Sequence, residues 1–127
     1  MPASRKIKKI YYHKLIRDKV PDTMRNVPKE FAIRTLSRTE FRLELLRKVG
    51  EEASALPKLT KKEDIISEVG DVLDVLDEIR REYSIRPREL SLARLQAKKK
   101  KGGFQKRVFL IWSEKKKYKT NERRNRR

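Results

Sequence analysis

Six carboxylates crowd one stretch of the chain, EEASALPKLTKKEDIISEVGD at residues 51–71. Glu51 and Glu52 close one helical pattern, and Glu68 and Asp71 stand three apart on the next. On a helical wheel at 100° per residue with Glu68 at 0°, the apolar stripe of the second pattern falls between about 20° and 100°, with Asp71 near 300°. Glu68 and Asp71 therefore border the buried face, whereas Asp74 and Asp77 turn toward water. Glu52 shares a face with Leu45, Val49 and Leu56 and is expected to be partly buried, while Glu51 is rotated away. Several carboxylates at one helix seam are costly unless cations neutralise them. Two cation sources fit. One is a hard divalent ion such as Mg²⁺, which takes oxygen ligands and commonly bridges carboxylates to phosphates. The other is local pairing, with Lys48 one turn before Glu52 and nearby Arg or Lys side chains over Glu68.

The elements that carry these acids are legible from periodicity. Over residues 38–56, Ser37 and Glu40 have capping-box spacing, and Phe41, Leu45, Val49, Ala53 and Leu56 recur at helical steps. Pro57 interrupts. Thr60 and Glu63 repeat the cap spacing before Ile65, Val69, Val72, Leu76, Ile79 and Tyr83, the strongest periodic signal in the chain. A connection this short predicts an antiparallel pair that buries the two stripes against each other. A third helix is predicted from Pro87 to the Gly102–Gly103 pair. After it, RVFLIW has the composition of a short strand or extended packing segment, with Phe104 and Trp112 expected to pack. Upstream, Pro21 and Pro28 leave room for a short helix from about residue 14 to 26. The fold class expected is all-α, as a helical domain over residues 1–112 followed by a basic, disordered tail over 113–127.

Composition sets the outer limits. The chain has 127 residues, 36% of them apolar, enough for a modest core that a second copy is expected to complete, as a homo-oligomer. Cysteine is absent, which excludes disulfides, thiolate chemistry and Cys-based zinc sites. The longest apolar run, Val108 to Trp112, is far short of a membrane span, and no signal-peptide pattern opens the chain, so the expected location is cytoplasmic. The net charge of +18 is unevenly spread: residues 40–89 hold 13 acidic and 10 basic residues, so both ends carry the whole excess. Basic runs of this kind attract phosphate-rich partners, nucleic acid among them.

The stretch YHKLIRDKVPD at residues 12–22 resembles the N-terminal signature of small MazG-like nucleotide pyrophosphohydrolases, relatives of phosphoribosyl-ATP pyrophosphohydrolase. LLRKVGEEA, ISEVGDVLDVLDEI and KKKKGGFQKRVFL follow in the order that family shows, so the resemblance spans roughly residues 11–110. It implies a helical fold that oligomerises as a dimer or tetramer and an Mg²⁺-dependent hydrolysis of nucleoside triphosphate to monophosphate and pyrophosphate, with Mn²⁺ as the alternative ion. The family's Glu-x-x-Glu and Glu-x-x-Asp ligands map onto Glu52, position 55, Glu68 and Asp71. Position 55 is alanine. Glu51, one turn before Ala55, is the candidate for supplying the missing oxygen, with water as the alternative there, and Glu51 is also the candidate for the catalytic role. Arg17, Lys19 and Lys106 are the candidate phosphate contacts; His13 is expected to have a surface or packing role. A second function fits the same sequence: a catalytically degenerate relative that binds nucleic acid or another polyanion through its basic ends.

Overall fold

The computed structural model describes residues 7–27 and 29–114. These residues form helices α1 (Val20–Arg25), α2 (Arg38–Ala53), α3 (Lys62–Glu82) and α4 (Pro87–Lys101), with a 3₁₀ turn at Leu56–Lys58 and no strand among them. The chain divides into two compact units, one ending at Arg86 and one beginning at Pro87.

In the first unit α2 starts where the sequence predicts, because its cap is complete. The Glu40 N–H donates to the Ser37 hydroxyl and the Ser37 N–H donates to the Glu40 carboxylate, each at 3.2 Å. Arg34 adds a two-pronged contact to the same carboxylate at 2.6 and 3.3 Å. The predicted start of α3 shifts: its N-cap is Lys61, without a side-chain cap bond, and the Thr60–Glu63 box does not form. Glu63 and Asp64 instead place negative charge in the first turn, where the helix dipole favours it. The predicted helix over 14–26 shrinks to the six residues of α1, with Pro21 in its first turn.

Helices α2 and α3 run antiparallel. Arg38 and Arg42 at the start of α2 reach Glu82 at the end of α3, at 2.8 and 3.3 Å. Arg42 also lies 5.5 Å from the Tyr83 ring centroid and donates to the Glu82 carbonyl. Between the helices, Ala55 donates to the Glu52 carbonyl and Lys58 to the Ala55 carbonyl, so α2 tightens into a 3₁₀ turn around Pro57 before the chain reverses.

The core is thinner than the stripes predict. Among the described residues Leu45 alone is fully buried, at 4% exposure. Phe41, Val49, Ala53 and Leu56 are half-buried along with Val72, Val75 and Ile79. Val69, Leu76 and Tyr83 remain about 40% exposed, and Ile66 and Leu73 reach 61% and 53%. Helix α3 thus has an inner seam against α2 and an outer seam, Ile66–Val69–Leu73–Leu76 at steps of three and four, left largely open among the described residues.

In the second unit α4 begins at Pro87 and ends before Gly102, whose φ of +78° suits only glycine, as predicted. The segment after it forms no strand and does not pack: Phe104, Val108, Phe109 and Ile111 are all at least 85% exposed and Trp112 is 78% exposed. An isolated strand has no edge to pair with, so its composition alone creates no sheet. The basic tail lies outside the described residues from residue 115 onward.

Candidate metal centre

Glu52 stands in the last turn of α2, Glu68 and Asp71 in the first half of α3, and antiparallel packing brings these two regions together. One carboxylate oxygen from each lies within 4.8 Å of the other two. All three residues are half-buried, as the wheel predicts for Glu52 and for the border positions on α3. Glu52 stands at the negative end of the α2 dipole, with Lys48 one turn earlier 3.5 Å away.

The charge of the cluster is felt at Glu68. Loss of water around it, then the neighbouring Glu52 and Asp71 carboxylates, raise its pKa above the ordinary glutamate value. Two protein cations meet the edges. Lys48, whose side chain is 14% exposed, donates to the Leu15 carbonyl at 2.8 Å and lies 3.0 Å from Glu51 and 3.5 Å from Glu52. Arg17 forks between α3 residues one turn apart, reaching Asp71 and Asp74 at 2.8 Å each. The guanidinium pKa is raised, chiefly by the Asp74 hydrogen bond, with desolvation opposing and Asp71 adding to the rise. The YHKLIRD segment is thereby laced over the acid seam at Lys14, Leu15 and Arg17.

Sequence reasoning located the three acids but not the partners of Arg17. Its nearest acid in sequence is Asp18, yet it pairs with carboxylates more than fifty positions away; only the tertiary fold reveals this. Asp74, expected to face water, is 59% exposed but engaged by Arg17. Glu51 is not among the converging three. It pairs with Lys48 and with Lys14 at 3.3 Å, and against the opposing effect of burial these two cations hold its carboxyl below the usual range. Lys19 is the N-cap of α1 and Asp22 pairs with Arg25. Lys106 belongs to the second unit. His13 is exposed and stacks on Tyr11 with ring centroids 5.6 Å apart. Ala55 follows the end of α2 with helical backbone angles.

The residues present fit a hard cation. Ligands about 2.1 Å from an octahedral ion stand at most about 4.2 Å apart, so a small side-chain adjustment closes the trio on one centre. The donors are all carboxylate oxygens, the class Mg²⁺ and Mn²⁺ prefer. The chain matches no protein-family model, no curated protein and no solved structure.

Proposed function

We propose that the chain is an Mg²⁺-dependent nucleoside triphosphate pyrophosphohydrolase, with Mn²⁺ as an alternative ion. The observation that carries this reading is the convergence of Glu52, Glu68 and Asp71 from two helices within 4.8 Å, with Arg17 beside them. The motif resemblance along residues 11–110 supplies the reaction class.

Glu52, Glu68 and Asp71 would hold the ion. When bound, it supplies Lewis-acid stabilisation of charge on the phosphates. Arg17, with a 61% exposed side chain, is placed to offset phosphate charge while Asp74 steadies it. Lys19 is a further phosphate contact in this reading, whereas Lys106 belongs to the second unit. Water attacks the α-phosphorus, the bond from it to the bridging oxygen breaks, and pyrophosphate departs. Glu51, kept ionised at neutral pH by Lys48 and Lys14, is the group assigned to accept the water's proton. A second copy covers the outer seam of α3, giving a dimer or tetramer.

The test is direct. Purified protein with Mg²⁺ should release pyrophosphate from at least one nucleoside triphosphate, and Asp71→Asn should lose that release by 10²-fold or more, roughly the scale of losing a key electrostatic group. Silence across a broad nucleotide panel contradicts the reading. The second reading, polyanion binding through basic ends, is favoured by one observation: cations and exposed aromatics alternate in the unit that begins at Pro87.

A further inference from the structure

The second unit contains a concavity that owes nothing to the carboxylates of the metal centre. Lys98 and Lys101 stand three apart on the last turn of α4 and so share a face. Gly102 stops the helix with its left-handed backbone, and a hydrogen bond from the Arg107 N–H to the Phe104 carbonyl, 3.0 Å, closes a turn that brings Lys106 back toward the helix end. Lys98, Lys101, Lys106, Gly102, Gly103 and Phe104 line an open groove of about 830 Å³. A smaller depression of about 240 Å³, lined by Arg94 and sharing Lys98, continues it along α4. Among the described residues no carboxylate lines either hollow. The backbone at both glycines is open, with nothing within 4 Å of where a Cβ would stand. Phe104 is 96% exposed at the groove, and Phe109 and Trp112 follow in the chain at 86% and 78%.

The geometry points to a binding site for single-stranded polynucleotide, with phosphates on Lys98, Lys101 and Lys106 and bases stacked on Phe104 and the aromatics beyond it. Charge selects a polyanion: residues 87–114 hold eight Lys and Arg against Glu89 and Glu114, so the same face of a second copy would repel it. Exposed aromatic faces select single strands, because duplex bases are already stacked on each other and offer no free face. A lipid surface suits α4 poorly. Four consecutive lysines, Lys98 to Lys101, point around most of the helix circumference and leave no broad apolar side to enter a bilayer. This inference goes beyond the hydrolase reading and stands apart from it.

Trp112 is the only tryptophan, so its emission reports stacking directly. The experiment titrates the full chain, without divalent ion, with fluorescein-labelled oligo-dT and oligo-U of about 15 nucleotides, within the size range of single-strand sites. Saturable binding that quenches Trp112 is expected. Replacing Lys98, Lys101 and Lys106 together by Gln, with the tail intact and helicity checked by circular dichroism, should weaken binding at least tenfold and flatten the salt slope by about 2, given about 0.7 per phosphate contact on single strands. Phe104→Ala should weaken binding roughly fivefold or more, and Asp71→Asn should leave it unchanged. Four outcomes overturn the proposal: unchanged affinity in the triple variant, equal competition by duplex, quenching by anionic phosphatidylserine vesicles but not by oligonucleotide, or burial of Trp112 by self-association that oligonucleotide does not reverse.

Discussion

At the scale of single residues, Glu68 shows why the acid seam calls for a cation. A carboxyl whose folded pKa lies above its unfolded value costs stability once it ionises, so raising the pH through that range weakens the fold, and acidification relieves the strain. A divalent ion gives the same relief at neutral pH. Mg²⁺ should therefore raise the melting temperature at pH 7, by the equivalent of about 2.7 kcal/mol at a hundredfold excess over Kd, and the gain should shrink as the pH falls through Glu68's raised pKa. Glu68→Gln should raise the metal-free melting temperature and abolish the Mg²⁺-dependent rise, read by differential scanning fluorimetry. Arg17 poses a related test, since its guanidinium occupies the same Asp71 that the ion needs. Arg17→Ala should tighten Mn²⁺ binding several-fold in calorimetry while raising KM for triphosphate; weaker Mn²⁺ binding would mean that Arg17 only holds the seam in place. The acids were legible in the sequence because helical spacing fixes which face each occupies. Arg17's pairing was not, because its partners lie on α3, more than fifty positions away.

At the scale of elements, the N-terminus of α2 is over-determined by local chemistry and was read correctly for that reason. The Ser37–Glu40 box is contained within four residues. Arg34, then the Ser37 N–H and hydroxyl, lower the Glu40 pKa to about 2. A depressed carboxylate contributes stability above its unfolded pKa and loses it as the pH falls through the folded one, so this cap should fray between pH about 4.5 and about 2. Glu40→Gln should remove that part of the acid transition when helicity is followed by circular dichroism. Ser37→Ala should cost about 1 kcal/mol in urea unfolding. Leu45→Ala, at the one fully buried position among the described residues, should cost about 2–3 kcal/mol, near the lower end for core truncations because the surrounding shell is thin. The sequence reading failed at Thr60 and at RVFLIW for different reasons. Cap spacing is necessary but not sufficient where the chain is still turning after Pro57, and strand composition needs a partner strand that the described residues do not supply.

At the scale of the whole molecule, the apolar stripes are real but incompletely covered among the described residues. Ile66, Val69, Leu73 and Leu76 form an outward seam on α3, and a second copy is the occupant this account assigns to it. Light scattering after size exclusion should give a dimer or tetramer, and Leu73→Glu should shift it toward monomer; a monomeric wild-type chain at tens of micromolar would refute that part. Periodicity revealed the stripes, whereas how much of each is covered depends on packing between helices and between chains, which periodicity does not encode. The central claim, that two helices of one unit gather a divalent-ion site, is tested most directly by calorimetric titration of Mn²⁺ into the wild-type chain and into Asp71→Asn. The account predicts a saturable site in the wild type that the substitution weakens at least tenfold, a loss of about 1.4 kcal/mol or more. Absence of binding to the wild type, or equal binding by both chains, would contradict it.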